Sequence, residues 1–481
     1  MKNFKILLCI LTVSVLSTVT YSKSKSKDGA LNASLLKTYE QDFDANHNDK
    51  RIINAITNND IKQLSLNREK LLNRDKIFNV KLKTNEITNQ KNSGRCWMFA
   101  GVNILSPKVM TKLNISNFEL SEPYITFWDK LEKANFFLER IIEMRDRPLD
   151  DRSLSGELEY FFGDGGWWQY LSDLITKYGV VPLSVMPETK QSTTTYNYTK
   201  LGRTILRKDA AELRQMYKDG KSVKQLRARK EKMLAEIYDL LVYAYGKPPK
   251  EFTFRYERKN DDTTSKAKSK TEIIEKKYTP QSFFKEFYAD EIPEFVAIVN
   301  NPTKDYDQMY QIEASRNIYE RPDISLLNLP IDKLKEYALK SLLDSQAVWF
   351  ACDVGKENYN DSGIFRVNIY DYNTTLNMNF NMSKKNRIAF QEISPNHAMV
   401  FTGVDTSSTG APVKWLVKNS WGTKRGHKGY WTMYDDWFNQ YVLMVIVDKR
   451  LLSKEDVAKL KQKPKKIADW EPFFFYLRNL D

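Results

Sequence analysis

Few side chains in this chain could carry nucleophilic chemistry, because its 481 residues include only three cysteines and three histidines. Cys9 lies in an apolar N-terminal run, which leaves Cys96 and Cys352 for the folded protein. Cys96 follows Gly94 where a helix is expected to begin, and the partial positive charge of a helix N-terminus favours a thiolate. Such a thiolate is an acyl-accepting nucleophile at neutral pH. A free cysteine can equally be a small buried apolar residue, which is our interpretation of Cys352 in its strand-like run.

A cysteine nucleophile needs a general base, and the three histidines differ in their settings. His47 lies in a polar stretch and His427 in a loop rich in Gly, Lys and Arg, so both are expected at the surface. His397 opens the apolar run 398–401, at the mouth of a predicted buried strand. A lone histidine there is usually a hydrogen-bonded core residue. Beside a candidate nucleophile, His397 becomes the best general base in the chain.

Two amide side chains could complete such a site. Asn419 ends a predicted strand and could hold the imidazole in one tautomer, and Trp421 could shield the pair from water. Gln90 lies six residues before Cys96. Its side-chain amide and the backbone N–H of Cys96 would form an oxyanion hole. Taken singly, Asn419 is also explained as a turn residue, and the assignment of Gln90 has little support.

Predicted helices carry the candidate cysteine and predicted strands carry the candidate histidine and asparagine, so we expect an α+β fold. Residues 97–105 are apolar on nearly all sides, which is typical of a buried helix that Pro107 bends or stops. A second, aromatic-rich helix is expected over 121–144, and the glycines of 163–166 predict a turn. Short apolar runs between turn residues predict strands in the C-terminal third. These strands are His397–Val404, Lys414–Asn419, Tyr430–Tyr434 and Tyr441–Asp448.

The chain is basic, with a formal charge of +14, and much of the excess lies in one segment. Residues 201–280 hold 21 Lys and Arg against 12 Asp and Glu, a net charge of +9. Leu226, Met233, Ile237 and Leu241 recur at helical spacing in this segment, which predicts long amphipathic helices. The charge could bind nucleic acid or an acidic surface, but a solvated helix face is the interpretation we favour.

The N-terminus is typical of a secretory signal peptide. Lys2 and Lys5 precede the uncharged apolar run 6–20, and cleavage is expected after Ser22. A retained membrane anchor is the alternative, but the run is shorter than the ~18–20 residues that cross a bilayer.

The cysteine and histidine counts exclude a disulfide scaffold or a zinc-finger cluster, and we expect no metal and no cofactor. The predicted divisions are 1–22 signal peptide, 23–75 N-terminal helical extension, 76–200 helical lobe, 201–280 basic helical insertion, 281–465 β-rich lobe and 466–481 C-terminal arm.

Several motifs in order resemble the papain-like cysteine peptidases. They are Gln90, Ser93–Trp97, Asn396–Ala398 and Asn419–Gly422. His397 lies 301 residues after Cys96, against roughly 130–150 in papain itself, so an insertion is implied. Further stretches resemble the group formed by bleomycin hydrolase and the bacterial aminopeptidases C. They are Asn89–Trp97, Phe127–Lys130, Asp164–Gly166, Lys177–Val180, Ala347–Gly355 and Lys418–Gly422.

The resemblance implies a papain-like fold, with a helical lobe, a β-barrel-like lobe and a large helical insertion. It also implies removal of N-terminal residues from peptides, in a homohexamer whose active sites face an inner cavity. By match to the family, Cys96 is the nucleophile, His397 the general base and acid, Asn419 the orienting residue and Gln90 the oxyanion donor.

The substrate-binding residues implied by the resemblance are Gly165, Gly166 and Trp421. The two glycines match the position where extended substrate backbone pairs with the enzyme, and the missing Cβ permits close approach. A plain tight turn explains them almost as well.

This chain departs from the group at both ends. The relatives are mostly cytoplasmic, whereas this chain is predicted to be exported. The family's C-terminal arm lies in the cleft and its carboxylate meets the substrate amine, but residues 473–481 form an aromatic tail that does not match. If the tail docks elsewhere, endopeptidase cleavage becomes possible. A silent papain-like fold that only binds peptides is a third alternative, and the complete quartet argues against it.

Overall fold

The computed structural model describes residues 29–72, 74–259, 271–290, 292–471 and 473. The predicted signal peptide and most of the aromatic tail lie outside the described residues. The chain forms two units, 1–64 and 65–481. The described part of the first unit contains helices α1 (Ala33–Asp42), α2 (Lys50–Asn58) and α3 (Ile61–Leu64), with a π-helical turn at Phe43–His47. No residue of these helices is buried, as expected for a polar segment with little core of its own.

The second unit begins with α4 (Arg68–Leu72) and β1 (Val80–Lys81), and its helical lobe is built around α5 (Cys96–Leu113). Fourteen residues of α5 are buried, which confirms the expectation of a central helix. Pro107 lies inside α5 and does not stop it, because the helix continues to Leu113. Around α5 lie α6 (Glu122–Glu143), α7 (Arg152–Glu159), α8 (Trp168–Tyr178) and α9 (Lys190–Thr193).

The insertion consists of two long helices followed by a β-hairpin. Two long helices, α10 (Tyr196–Lys218) and α11 (Val223–Tyr245), agree with the predicted amphipathic spacing. Gly246 ends α11 with a positive φ of 85°. The following segment, included in the predicted helical insertion, instead forms an antiparallel hairpin of β2 (Phe252–Lys259) and β3 (Thr271–Tyr278). Phe254 of this hairpin packs against Phe118 and Phe283, so the hairpin is held to the lobe by aromatic side chains.

One twelve-stranded sheet dominates the C-terminal part, with the strand order β14-β5-β6-β4-β13-β7-β10-β11-β12-β9-β8 and β1 paired to β10. The four strands predicted from sequence over 397–404, 414–419, 430–434 and 441–448 are present as β10 to β13, with the bounds given next. The strands are β4 (Phe295–Val299), β5 (Gln308–Ile312), β6 (Ser325–Asn328), β7 (Val348–Cys352), β8 (Asn358–Tyr359), β9 (Ile364–Phe365), β10 (His397–Thr406), β11 (Pro412–Lys418), β12 (Tyr430–Tyr434), β13 (Val442–Asp448) and β14 (Lys465–Ile467). The helices of this part are α12 (Pro280–Phe287), α13 (Ile331–Leu343), α14 (Tyr372–Leu376), α15 (Lys384–Ala389), α16 (Asp435–Tyr441) and α17 (Lys454–Lys459), with 3₁₀ turns at Ile292–Glu294 and Lys449–Leu451.

The start of α5 lies against the middle of this sheet. The indole N–H of Trp349 on β7 donates to the backbone carbonyl of Trp97 at 3.0 Å. β7 and β10 are antiparallel neighbours, and Trp349 pairs with Val400. This contact fixes the first turn of α5 beside the first residues of β10. Within the described residues, no helix has both the length and the apolar character of a membrane span.

Candidate active site

Cys96 is the first residue of α5 and is 3% exposed. Burial raises the pKa of its thiol to about 11. The backbone N–H groups of Ala398, Trp97 and Cys96 itself act in the opposite direction and lower the pKa, because backbone N–H groups near the sulfur favour negative charge there. The contact from Ala398 also places the sulfur beside the second residue of β10.

His397, the first residue of β10, is the only described histidine that is buried. Its Nε2 lies 2.9 Å from Oδ1 of Asn419 at the end of β11. Because that amide oxygen can only accept, Nε2 carries the proton and Nδ1 is the basic nitrogen. Burial lowers the pKa of His397 to about 4, and the hydrogen bond to Asn419 partly offsets this.

These pKa shifts restrict the charge states of the pair. Burial penalises a lone thiolate at Cys96 and a lone imidazolium at His397 alike. Proton transfer from Cys96 to His397 creates both charges side by side, so each charge compensates the other in surroundings of low dielectric constant. Burial therefore favours either two neutral groups or two opposite charges that compensate each other.

Asn419 and Trp421 both lie against the imidazole of His397. Oδ1 of Asn419 also accepts the backbone N–H of Ser420 at 2.8 Å, so the amide oxygen cannot turn away from His397 without losing two hydrogen bonds. The Trp421 ring lies 4.8 Å from the His397 ring, measured between centroids, and meets Trp431 edge-on. Together these contacts hold the ring plane and cover the hydrogen bond to Asn419.

Gln90 is tied to both sides of the site. Its Oε1 accepts the hydroxyl of Ser420 at 2.7 Å, and its Nε2 donates to the carbonyl of Ser93 at 2.6 Å. The backbone N–H of Gln90 donates to the carbonyl of Ser420 at 2.9 Å. An amide nitrogen carries two hydrogens, and the hydrogen bond to Ser93 uses one of them.

Gly165 and Gly166 lie in the loop that packs on the first turn of α5. A Cβ added to Gly166 would lie 2.5 Å from the Trp97 ring, so the glycine is required by this packing. The carbonyls of Gly163 and Gly165 accept hydrogen bonds from Nζ of Lys133 at 3.0 and 2.7 Å. The loop is therefore fixed beside Cys96.

An ion pair that sequence reasoning missed supports the same loops. Asp164 lies 2.7 Å from Nζ of Lys130, and both side chains are nearly inaccessible to solvent. The other carboxylate oxygen accepts the backbone N–H of Gly94 at 3.0 Å and the hydroxyl of Thr195. These contacts hold the pKa of Asp164 well below its ordinary value despite burial. The sequence signal that could have predicted this ion pair is Lys130 itself, a charged residue within the largely buried helix α6.

Cys352, His47 and His427 take no part in the hydrogen bonds described above for Cys96, His397, Asn419 and Gln90. Cys352 on β7 is fully buried opposite His397 and forms no disulfide, in agreement with a structural role. His47 is exposed, and His427 contacts Lys76 at the surface. Among the described residues, no cluster of three or more His, Cys, Asp or Glu side chains could hold a metal ion.

A cysteine at the N-terminus of a buried helix, facing a histidine–asparagine pair on a sheet, defines a cysteine peptidase of the papain type. The model of the Peptidase C1-like family matches residues 30–474. The chain belongs to this family.

Similar proteins align with almost the whole length of this chain. Aminopeptidase C of Streptococcus thermophilus is 36% identical over 433 residues, which are 90% of this chain and 95% of the relative. Aminopeptidase C of Listeria monocytogenes is 38% identical over 427 residues, 88% of this chain and 94% of the relative. The crystal structure of PepW from Lactobacillus rhamnosis superposes with a TM-score of 0.88 at 38% identity, over 93% of this chain and 99% of that one.

The matches confirm three predictions made from the sequence: the aminopeptidase C group, the papain-like fold and the enzyme class. The protein is a papain-like cysteine aminopeptidase, a hydrolase of peptide bonds.

Proposed function

We propose that this protein removes N-terminal residues from peptides through a thioester at Cys96. The observation that carries the proposal is the buried His397–Asn419 pair, whose strand contacts the Cys96 sulfur through the next residue. In this arrangement the imidazole can take the thiol proton at Nδ1 while Asn419 holds Nε2–H. The activated sulfur is a nucleophile for the carbonyl carbon of the first peptide bond.

The remaining steps use the same groups. Attack by the sulfur places negative charge on the carbonyl oxygen, and the Cys96 backbone N–H and the Gln90 amide stabilise it. The imidazolium of His397 protonates the leaving amine as the C–N bond breaks, which leaves the thioester. Water then attacks the thioester while His397 accepts its proton, and the amino acid is released as the thiol forms again.

Hydrolysis of leucyl-arylamide by a Cys96→Ala variant tests this mechanism. We expect the variant to lose nearly all turnover, because the acyl acceptor is gone. Cys352→Ala is the matched control, since it removes the other described cysteine, and it should retain most of the activity. Undiminished turnover by Cys96→Ala would overturn the assignment.

We also propose that the C-terminal segment makes the enzyme an exopeptidase. Trp470 packs under the guanidinium of Arg152 on α7 at 5.0 Å, and Asp469 lies 3.9 Å from Arg140. The segment thus crosses to the helix that leads into the loop 161–166. Eight extended residues span at most about 26–29 Å, which sets the greatest reach of residues 474–481.

Paired substrates test this part of the proposal. Peptides with a free amino terminus should be hydrolysed, and their N-acetylated counterparts should resist. Removal of residues 474–481 should admit the acetylated peptides and internal cleavage. Equal cleavage of both substrates by the intact protein would instead support the endopeptidase alternative.

Export and assembly complete the proposal. The N-terminal pattern supports secretion or a periplasmic location after cleavage near Ser22, which N-terminal sequencing of the processed protein would test. The family resemblance supports a homohexamer acting on peptides.

Ion pairs on the insertion, such as those of Arg227 and Lys230 with Glu139, favour a structural role for its charge over nucleic-acid binding.

A further inference from the structure

A cavity of about 600 Å³ is lined in part by Lys91, Asn92 and Ser93, which precede Cys96 in the chain, and it has no role in the mechanism above. Its walls come from three places: the segment between Gln90 and Cys96, Asp164 of the loop 163–166, and the start of insertion helix α10. The residues that matter here are Lys91, Ser93, Asp164, Lys200, Arg203 and Arg207.

Two residues of the cavity wall contact the segment that leads to Cys96. Ser93 lies in its wall, and the carbonyl of Ser93 accepts the side-chain amide of Gln90. Asp164 also lies in the wall and holds the backbone N–H of Gly94, two residues before Cys96. Ser93 lies three residues before Cys96, and three extended residues span at most about 10–11 Å, so the cavity wall begins within that distance of the nucleophile proposed above.

The lining of the cavity is positively charged. Asp164 is the single acidic residue of the lining, and Lys130 already compensates its charge at 2.7 Å. Lys91 and Lys200 are exposed and form no ion pair with a described residue. Two arginines add to the positive charge, and their side chains are held by backbone carbonyls: Arg203 donates to Phe161 and Arg207 to Leu158.

We propose that this cavity receives the side chain of the substrate's N-terminal residue, and that Lys91 and Lys200 give the enzyme a preference for Asp and Glu there. The proposal rests on the proposed function. A carboxylate in the cavity gains Coulomb attraction from uncompensated cations, whereas an ammonium is repelled. The papain-like fold does not require this charge, because α10 of the insertion supplies most of it.

Kinetics with matched arylamides test the preference. For the intact enzyme, we expect kcat/KM for glutamyl-arylamide to exceed that for the isosteric glutaminyl-arylamide by about tenfold at low salt, and the ratio to fall as salt screens the charges. Lys200→Gln and Lys91→Gln should each reduce the Glu/Gln ratio about two- to fivefold, and the double variant should reduce it further. Lys218→Gln, an exposed lysine at the end of α10 outside the cavity, is the control and should leave the ratio unchanged.

The outcomes separate this inference from the proposed function. Hydrolysis of glutaminyl- and leucyl-arylamide with no preference for glutamyl-arylamide would overturn the inference alone. A Glu/Gln ratio that is insensitive to both lysines would also overturn it. Failure to hydrolyse any arylamide would instead contradict the proposed function. A variant lacking residues 474–481 should keep the Glu/Gln ratio, and loss of the ratio there would assign the preference to the tail.

Discussion

The side chains at this site are connected to one another by hydrogen bonds and by shared burial. Cys96 and His397 are each too buried to carry a charge alone, as their pKa shifts show. Asn419 fixes which imidazole nitrogen is basic, and Ser420 connects the Asn419 loop to Gln90 through a hydroxyl. Substituting any one of them is therefore expected to affect the others.

Gln90 can be separated from the nucleophile by experiment. Gln90→Ala removes one of two oxyanion donors, so we expect kcat/KM for leucyl-arylamide to fall about 10²–10³-fold. Alkylation of Cys96 by iodoacetamide should change little, because it forms no oxyanion. Gln215→Ala, on the exposed side of α10, is the matched control. A loss of less than threefold for Gln90→Ala would show that the amide does not act on the transition state.

The secondary structure elements show how far the sequence could predict the structure. The strands β10 to β13 are short apolar runs between turn residues, and the helix at Cys96 is a long apolar run, so both were predicted correctly. The hairpin was missed although Phe252 and Phe254 are buried and Thr253 and Arg255 exposed, an alternation typical of a strand.

The four catalytic candidates could be identified from the sequence because their motifs stand in the family order. The supporting contacts were not predicted. Lys130 and Asp164 are 34 residues apart on different elements, and only the fold brings them together.

Gly166 tests the packing between its loop and α5. In Gly166→Ala, the new Cβ meets the Trp97 ring at 2.5 Å, so the ring or the loop must move. We expect a loss of about 1–3 kcal/mol in the free energy of unfolding and a lower kcat/KM, because Trp97 adjoins Cys96. Urea unfolding and leucyl-arylamide kinetics measure the two effects.

Gly156→Ala is the control for this variant. Gly156 lies inside α7 with no atom within 4 Å of its added Cβ, so alanine should stabilise the protein by about 0.4–1 kcal/mol. If Gly166→Ala were as stable and active as Gly156→Ala, the close packing on Trp97 would be contradicted.

The molecule as a whole combines a peptidase core with a large elaboration. Helices α10 and α11 and the hairpin lie between the nucleophile and the histidine in sequence, and they carry much of the positive charge. Helix α10 also lines the cavity described above, so the insertion contributes to the proposed substrate choice. The described residues also include exposed large apolar side chains, such as Tyr243 at 82% and Phe390 at 77%.

Assembly is a prediction for the whole molecule. If the chain forms the hexamer implied by its resemblance, light scattering should give a mass near six times 56.4 kDa, about 340 kDa. Exposed apolar side chains of this kind are expected to become buried between subunits. A mass near that of one chain across the micromolar range would contradict the prediction.

The central claim is that His397 makes Cys96 a nucleophile by taking its proton. The pH dependence of Cys96 alkylation by iodoacetamide, followed by mass spectrometry in the intact protein and in His397→Ala, tests it most directly. We expect rapid alkylation of the intact protein near pH 6, where the imidazolium stabilises the thiolate. In His397→Ala the thiol keeps the raised pKa of about 11 that burial gives it, so its alkylation should be slow near pH 6 and increase only in alkali. The same slow profile in both proteins would contradict the claim.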